Sequence, residues 1–275
     1  MRDGRILKTS RIDFPGMFDL GGKVALVTGA SGMIGSLLSE ALAACGADVV
    51  LVARNAQKLK EVSEKVLALG RKSLEVVVDV TKEEEVKRLT SKAVKKFKQI
   101  DILVAAAGSN ILKPAIDFPL SDWEKLMQAN ATSTFLCNKE VGRVMIAQKR
   151  GKIVNLSSIR GRYATSGNTL AYSATKSAIN MITRVLACEW AQYNINVNAI
   201  APAMVATGMH MAGPDGETLK LDPKVLEGIV KRTPMKRLAR PEDLCGAVIF
   251  LASRASDFMS GQILYVDGGA SVWAA

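Results

Sequence analysis

Short apolar runs alternate with helix-like segments along most of this chain. The runs are rich in valine, isoleucine and leucine, and they lie at 24–27, 49–52, 74–78, 100–104, 152–156, 195–199 and 263–266. Continuously apolar strands are buried on both faces, as in parallel sheets that helices cover on each side. Because crossovers between parallel strands are right-handed, the sequence predicts an α/β fold with a doubly wound, Rossmann-like sheet of seven parallel strands.

The helical segments include two with a recognisable start, and no linker divides the chain. TKEE at 81–84 and SDWE at 121–124 match the capping box, in which two side chains satisfy free N–H groups at a helix start. A length of 275 residues suits one large α/β domain. We predict a basic N-terminal extension over 1–17 and a single Rossmann-type domain over 18–275.

The charge balance is strongly positive, with 37 lysines and arginines against 26 aspartates and glutamates, a formal net charge of +11. Much of the excess lies at 82–98, where three glutamates at 83–85 precede the basic residues. Acids in the first turn and bases towards the end complement the dipole of a helix. A solvated helix face is therefore favoured over a nucleic-acid patch, and neither zinc-finger spacing nor an aromatic RNA-binding segment supports the latter.

Targeting and metal-binding signals are weak. No apolar stretch approaches the 18 residues or more of a membrane span, and the first residues lack the apolar core of a secretory signal. A short basic presequence is the alternative, against which Asp3 and Asp13 count. The single His210 cannot complete a metal cluster. We expect a cytoplasmic protein with no metal, no membrane and buried free thiols, because its four cysteines form no C-x-x-C pair: Cys45, Cys137, Cys188 and Cys245.

A glycine-rich turn, TGASGMIG at 28–35, follows the first apolar run. Its three glycines recur at intervals of three, which matches neither of the usual nucleotide fingerprints. In a doubly wound sheet, however, the first turn holds a pyrophosphate at the N-terminus of the following helix. We expect Gly29 to make the turn, and Gly32 and Gly35 to let the backbone and the neighbouring strand approach closely. A glycine turn that serves packing alone is the alternative.

The end of the second strand distinguishes between nicotinamide cofactors. In LVARN at 51–55, Ala53 occupies the position where an acid would bind the ribose 2′-hydroxyl, and no Asp or Glu lies between Val49 and Lys60. Arg54 supplies a guanidinium that suits a phosphate monoester. The sequence therefore predicts a preference for NADP(H), with NAD(H) possible. A plain surface charge is the alternative interpretation of Arg54.

A tyrosine and a lysine lie one helical turn apart in YSATK, at Tyr172 and Lys176. A tyrosine with its ordinary pKa of about 10 is a poor base near neutral pH. The ammonium of Lys176 is expected to lower the pKa of Tyr172 and to make it a usable proton donor and acceptor. Y-x-x-x-K alone is a weak pattern. Here it follows the run GKIVNLSS, which places Ser157 and Ser158 at the strand end where ligands bind in such sheets.

The glycine turn, the strand-end serine, the Y-x-x-x-K helix and the later segment APAMVATGM jointly resemble the short-chain dehydrogenase/reductase family. The resemblance runs from about Phe18 to the VDGG at 266–269. Within the single-domain branch it is strongest to gluconate 5-dehydrogenase-like members, and 3-oxoacyl carrier-protein reductases are also similar. The resemblance implies reversible hydride transfer between a nicotinamide and a small carbonyl/alcohol pair, and a homotetramer.

The resemblance also assigns catalytic roles to four residues. Ser158, the second of its pair, matches the catalytic serine, and Tyr172 matches the acid/base. Lys176 matches the residue that also holds the nicotinamide ribose. Asn130, in MQANATSTF, matches an asparagine that supports a water-linked proton path.

Cofactor contacts are implied by the same resemblance. Asp79 matches a residue near the adenine, and Thr207 with the backbone from Pro202 matches contacts on the nicotinamide side. The full predicted set is Gly29, Ser31, Gly32, Met33, Ile34, Gly35, Arg54, Asn55, Asp79, Val80, Ala106, Gly108, Tyr172, Lys176, Pro202, Val205 and Thr207.

Several positions depart from the family's pattern. Met33 replaces the middle glycine of T-G-x-x-x-G-x-G, and Gly32 comes one residue early, as in the family's longer branch that modifies sugar nucleotides. A chain of 275 residues leaves little room for that branch's second domain. The usual N-N-A-G appears as AAAG at 105–108, so both asparagine side chains are missing. The usual Pro-Gly after the sixth strand is Pro202-Ala203.

Substrate choice is predicted from the loops that follow the fifth and sixth strands. Arg160 and Arg162 in SSIRGRYATSGN could hold a carboxylate or phosphate, although solvent-facing arginines are an equal alternative. The segment 201–221 is expected to form a lid, or otherwise an irregular excursion. Together with the resemblance, this predicts a sugar acid or related polar ketone as substrate. The alternatives are a 3-oxoacyl-thioester reductase and, in another class, a non-catalytic NADP-sensing module.

Overall fold

A parallel β-sheet forms the centre of the computed structural model, which describes residues 13–165, 167–207 and 223–273. Each predicted apolar run overlaps one strand, and together these strands form the seven-stranded sheet of the described chain. They are β1 (Val24–Thr28), β2 (Asp48–Ala53), β3 (Ser73–Val77), β4 (Ile102–Ala105), β5 (Gly151–Leu156), β6 (Ile195–Pro202) and β7 (Ile263–Val266).

All neighbouring strands pair in parallel, in the order β3-β2-β1-β4-β5-β6-β7. The predicted doubly wound, Rossmann-like sheet is thus confirmed. The order reverses between β1 and β4, and the carboxyl ends of the strands meet at one edge beside this reversal. In open α/β sheets, ligands bind in the crevice at such a point.

Helices connect the strands and supply the outer layers. They are α1 (Met33–Ala44), α2 (Ala56–Ala68), α3 (Glu83–Phe97), α4 (Leu120–Met127), α5 (Ser133–Gln148), α6 (Leu170–Trp190), α7 (Pro223–Arg232) and α8 (Cys245–Ala252). A π-helical segment, Gln128–Thr132, joins α4 to α5. The predicted capping boxes are wrong, because α3 begins after Lys82 and α4 after Pro119, and neither residue caps its helix with a side chain.

Two hydrophobic clusters cover the two faces of the sheet. Successive residues of β1 alternate between them, with Ala25 and Val27 in one cluster and Val24 and Leu26 in the other. The first cluster packs against α1, α2 and α8, and the second against α3, α5 and α6. Burial on both faces explains why the central strand segments 24–27 and 49–52 are apolar at every position instead of alternating with polar residues.

Positive charge on α3 is partly paired. Lys87 forms ion pairs with Glu83 and Glu84, and Lys139 of α5 contacts Glu83 at 2.6 Å. The glutamates of the first turn therefore bind basic side chains as well as complementing the helix dipole. The expected lack of a nucleic-acid partner stays a prediction.

The cysteines are free, and their surroundings differ. Cys137 is buried, Cys45 and Cys245 are half-buried, and Cys188 is exposed, so the expectation that all four thiols are buried is wrong. Across the described ranges, no helix is long and apolar enough to cross a membrane. The cytoplasmic location stays a prediction. Most of the predicted N-terminal extension and the part of the predicted lid at 208–221 lie outside the described residues.

Candidate active site

A cavity of about 460 Å³ lies where β4, β5 and β6 end. Its wall includes Ala106 after β4, Leu156 at the end of β5, and Pro202 at the end of β6. The cavity therefore occupies the sheet edge that the strand order favours for ligands. Ten of the predicted site residues line it: Ile34, Ala106, Gly108, Ser158, Arg160, Tyr172, Lys176, Pro202, Val205 and Thr207.

The glycine turn packs more tightly than ordinary residues would allow. Gly29 has φ +69°, and a Cβ there would lie 2.9 Å from the carbonyl oxygen of Ala106. A Cβ on Gly35 would overlap the carbonyl of Gly29. The close approach to the neighbouring strand end is thus made by Gly29 and not, as expected, by Gly32, which has an ordinary φ of −83°.

The unusual spacing of the turn follows from where α1 begins. Gly32 precedes the first helical residue, Met33, whose side chain is 54% exposed. The methionine that replaces the middle glycine thus has more than half of its surface in contact with solvent. No side chain caps the start of α1, which leaves its first N–H groups free beside Ser31.

The loop after β4 is anchored without the family's asparagines. The Thr28 hydroxyl oxygen accepts hydrogen bonds from the N–H groups of Ala106 and Ala107, each at 3.1 Å. Further along the loop, Ser109 donates its N–H to Asn130 at 2.8 Å. Backbone donors therefore hold the loop against β1 and Asn130, although both asparagine side chains are absent.

A cation and an acid lie beside each other where β2 and β3 end. Arg54 is exposed and has no ion pair in the described ranges. Burial raises the pKa of the Asp79 carboxyl, but hydrogen bonds from Thr81 and the charges of Arg54 and Lys82 leave it below its usual range. Asn55 is engaged otherwise, because its side chain caps α2 by accepting from the N–H of Lys58 at 2.9 Å.

Val80 follows Asp79 and does not line the cavity. Its side chain is half-buried and packs against the cluster beneath α3.

Ser158 and Tyr172 face the cavity from two elements. The Ser158 hydroxyl, just past β5, accepts a hydrogen bond from the N–H of Arg160 at 3.2 Å. Burial raises the pKa of Tyr172, while a hydrogen bond with Ser158 and the charge of Arg160 lower it by less. The expectation that Lys176 brings the pKa of Tyr172 below its ordinary value is therefore wrong for this arrangement. Arg160 is the cation that opposes the effect of burial.

Lys176 is almost fully enclosed, with 5% of its surface exposed. Its ammonium donates a hydrogen bond to the carbonyl of Leu156 at 2.7 Å and lies 5.5 Å from the centre of the Tyr172 ring. Burial lowers the pKa of Lys176 to about 8. A lysine with this pKa can both hold and release a proton near neutral pH.

Replacing Lys176 with methionine is expected to remove a pH dependence of stability. The folded pKa of about 8 lies below the ordinary 10.5, so between these pH values the unfolded state binds more protons. Wild-type stability therefore rises with pH through this window, and at lower pH the cost of burying the charge is fully present. From pH 7 to 9.5, we expect the free energy of unfolding to rise by about 2 kcal/mol more in wild type than in Lys176→Met.

Urea unfolding at both pH values measures this difference. The exposed Lys92 on α3 offers a matched control, and Lys92→Met should change with pH as wild type does. A stability difference between Lys176→Met and wild type that is the same at both pH values would show that the pKa of Lys176 is not lowered.

Asn130 lies in the π-helical segment and does not line the cavity. Its side chain is fully buried and donates to the carbonyl of Ser109 and to the hydroxyl of Thr175, each at 3.0 Å. A Cβ on Gly108 would lie 2.9 Å from its amide oxygen. Asn130 thus joins the loop after β4 to the helix that carries Tyr172 and Lys176.

The turn that follows β5 places the two predicted arginines in different surroundings. Gly161 is fixed against α6, because its carbonyl accepts from Asn180 at 3.2 Å and from Ser177 at 3.0 Å. Arg160, before this anchor, lines the cavity. Arg162, after it, is exposed and lies over the Tyr163 ring, 5.3 Å from its centre. The expectation that Arg162 faces the pocket is wrong.

Comparison with known proteins identifies the family. The profile described as enoyl-(acyl carrier protein) reductase matches residues 29–271, most of the chain. The gluconate 5-dehydrogenase of Gluconobacter oxydans (strain 621H) is 39% identical over 94% of this chain and 98% of that protein. The chain belongs to the short-chain dehydrogenase/reductase family. This short-chain dehydrogenase/reductase is therefore an oxidoreductase that acts on CH–OH and C=O groups.

Two further relatives of this short-chain dehydrogenase/reductase differ in cofactor. A gluconate 5-dehydrogenase from Burkholderia cenocepacia J2315, crystallised with NADP and tartrate, has a TM-score of 0.88 and 36% identity, covering 94% of this chain and 98% of that chain. The NAD-dependent glycerol dehydrogenase of Listeria innocua is 37% identical over 93% of this chain and 96% of that protein. Close relatives thus use either nucleotide.

Sequence reasoning missed one side of the cavity in this short-chain dehydrogenase/reductase. This side is formed by α7, which follows the part of the predicted lid outside the described residues. Three residues of α7 line the cavity: Val225, Ile229 and Arg232. Their spacing of four and three residues places them on one helix face, a signal that the sequence already contained. Other lining residues that were not predicted are Ser109, Asn110, Leu112, Leu156, Ser157, Ile159, Thr165, Gly167, Thr169, Ala203 and Met204.

Proposed function

We propose that this enzyme interconverts a ketone and a secondary alcohol on a sugar acid with NADP(H), using Tyr172 as the acid/base. The observation that carries the proposal is the meeting of Ser158, Tyr172 and Lys176 in one cavity beside the glycine turn. A hydroxyl hydrogen-bond donor, a proton donor and a buried ammonium are the groups that carbonyl reduction requires.

The residues present fit a dinucleotide. Gly29 and Gly35 lie where a Cβ would collide with backbone, and the uncapped N-terminus of α1 offers free N–H groups to a pyrophosphate. Arg54 and Asp79 would hold the adenosine end, and Thr207 with Pro202 the nicotinamide end. When bound, the cofactor supplies or accepts the hydride.

Proton transfer in reduction belongs to the side chains of the cavity. The raised pKa of Tyr172 keeps its hydroxyl protonated near neutral pH, so that it can donate to the carbonyl oxygen of the substrate. The Ser158 hydroxyl hydrogen-bonds the same oxygen as negative charge develops there, which is preorganised electrostatic stabilisation. Lys176, with a pKa of about 8, is suited to return a proton to Tyr172. Asn130 supports this path by fixing the loop that faces α6.

Arg54 supports a preference for NADP(H). It is a free exposed cation at the end of β2, and Ala53 beside it supplies no carboxylate for a ribose diol. The Burkholderia cenocepacia enzyme carries NADP in its crystal structure. The NAD-dependent Listeria innocua relative leaves NAD(H) as an alternative cofactor.

The proposed substrate class rests on the relatives and on the charge of the cavity. Gluconate 5-dehydrogenases are among the similar proteins, and Arg160 gives the cavity a cation that suits an acid. A 3-oxoacyl-thioester reductase is the second candidate, because the matching family profile names an acyl carrier protein and the net charge of +11 suits an acidic partner.

An activity panel tests the proposal. Absorbance at 340 nm would follow NADPH oxidation with 5-keto-D-gluconate, a 3-oxoacyl thioester and a simple cyclic ketone. We expect the highest kcat/KM with the sugar acid. Turnover of the thioester alone would favour the second candidate, and NADPH binding with no turnover of any substrate would favour a sensor.

We also propose that the enzyme is a homotetramer. Large apolar side chains are exposed on α5 and α6, at Phe135, Met181 and Val185, and near the C-terminus at Val272 and Trp273. Exposed apolar surface of this kind is typical of interfaces. Light scattering measures the mass of the assembly directly, and a monomeric mass at assay concentration would contradict the tetramer.

A further inference from the structure

The cavity has an unbalanced positive charge. Its described wall contains three cationic side chains, Lys176, Arg160 and Arg232, and no aspartate or glutamate. Lys176 belongs to the proton path, where it donates to the carbonyl of Leu156. The two arginines have no part in that path.

Arg160 and Arg232 approach the cavity from different elements. Arg160 lies in the turn after β5, and Arg232 is the last residue of α7, more exposed and at the rim. No carboxylate forms an ion pair with either guanidinium in the described ranges. Burial and the charge of Arg232 lower the pKa of Arg160, so the two cations are near enough to repel each other. A like-charged pair of this kind is relieved by an anion placed between its members.

A neutral polar group in the same wall also lacks a partner. Asn110 lies in this wall, and its buried amide oxygen accepts no hydrogen bond within the described ranges. A buried acceptor without a donor costs free energy unless a ligand supplies one. A hydroxyl group is the simplest donor. The wall therefore offers two cations for an anion and one acceptor for a hydroxyl.

We propose that Arg160 and Arg232 together bind the carboxylate of the substrate, while Asn110 accepts a hydrogen bond from one of its hydroxyls. The inference rests on the proposed function and names the residues that make the enzyme selective for acids over neutral polyols. Because Arg160 also acts electrostatically on Tyr172, the carboxylate is held close to the reacting end of the cavity.

Matched substrates separate charge recognition from general damage to the site. D-gluconate and D-gluconamide share a carbon chain and differ in charge at C1, and both would be oxidised with NADP⁺. In Arg160→Met, we expect the ratio of kcat/KM for gluconate to kcat/KM for gluconamide to fall about 10- to 100-fold, as for the loss of a charge-assisted hydrogen bond, because an effect through Tyr172 acts on both substrates alike. For Arg232→Met at the rim, we expect a selective loss of about tenfold.

Two further variants serve as controls. Arg162→Met removes an exposed arginine that lies two residues after Arg160 and over the Tyr163 ring. It should leave kcat/KM for both substrates unchanged. Asn110→Ala should lower kcat/KM for gluconate and for gluconamide by the same factor, because both substrates carry the hydroxyls. Circular dichroism and NADPH titration would establish that each variant folds and binds the cofactor.

The outcomes distinguish this inference from the proposed function. Equal losses on the acid and the amide in Arg160→Met, or no loss on either, would overturn the carboxylate site while the sugar-acid activity stands. If wild type oxidises neither sugar but reduces a cyclic ketone, the proposed substrate fails. Malonate then serves as the probe: inhibition of ketone reduction that disappears in Arg160→Met supports the anion site, and inhibition that persists overturns it.

Discussion

Tyr172→Phe is expected to lower kcat/KM for ketone reduction by about 10²- to 10⁴-fold, the usual contribution of a positioned general acid. The variant keeps the ring, so its packing at the start of α6 and its 5.5 Å approach to the Lys176 ammonium should persist. It loses the hydroxyl that faces the cavity beside Ser158. NADPH oxidation with 5-keto-D-gluconate measures the loss, and fluorescence titration should show unchanged NADPH affinity.

Tyr163→Phe is a matched control for this effect. Tyr163 lies nine positions earlier, is half-buried, and packs edge-on against Tyr265 with ring centres 6.0 Å apart. Since it does not line the cavity, its loss of a hydroxyl should leave turnover within about twofold, as for a substitution away from the site. If Tyr172→Phe also kept near-normal turnover, Tyr172 would not be the acid/base.

Arg54→Ala is expected to lower kcat/KM with NADP(H) by about 10- to 100-fold and to change the value with NAD(H) by less than about threefold. The substitution removes the guanidinium at the end of β2, which would otherwise pair with the 2′-phosphate of NADP(H). NAD(H) has no such phosphate. Adding Ala53→Asp places a carboxylate where a ribose diol would bind, so the double variant should prefer NAD(H). Steady-state kinetics with both cofactors measures the ratio.

Lys58→Ala provides the corresponding control, because Lys58 is an exposed cation in the first turn of α2, close in sequence to Arg54. It should leave the ratio of the two kcat/KM values unchanged. Equal losses with both cofactors in Arg54→Ala would contradict recognition of the 2′-phosphate by Arg54.

The sheet was predictable from sequence because its physical cause is local. Strands buried on both faces are rich in apolar residues, and the runs at 24–27 and 49–52 show this directly in the sequence. The pair Tyr172 and Lys176 was equally legible, since one helical turn brings both side chains to one face. Strand ends and helix faces therefore predicted ten residues of the cavity wall, including Ser158, Tyr172 and Lys176.

Other features depend on individual side-chain contacts that residue spacing does not show. The predicted capping box at 81–84 fails because the Asp79 carboxylate accepts both the N–H and the hydroxyl of Thr81, so Thr81 does not cap α3. Arg160 and Arg162 look equivalent in sequence, and only the anchor between Gly161 and Asn180 separates them. Sequence spacing gives no measure of such packing.

The same limit applies to electrostatics. The expectation that Lys176 lowers the pKa of Tyr172 left out burial. Burial raises this pKa by more than the hydrogen bond with Ser158 and the charge of Arg160 lower it. Arg232 lies 72 positions after Arg160, and nothing local in the sequence brings the two cations to one cavity. These contributions depend on desolvation and distance, which only the folded chain defines.

The central claim is direct hydride transfer from the nicotinamide to the ketone of a sugar acid. The most direct measurement is mass spectrometry of the product formed from 5-keto-D-gluconate and NADPH deuterated at the transferable C4 position. We expect one deuterium on the new carbinol carbon, C5, and almost no deuterated product from Tyr172→Phe in the same time. Product without deuterium, or no product from enzyme that binds NADPH, would contradict it.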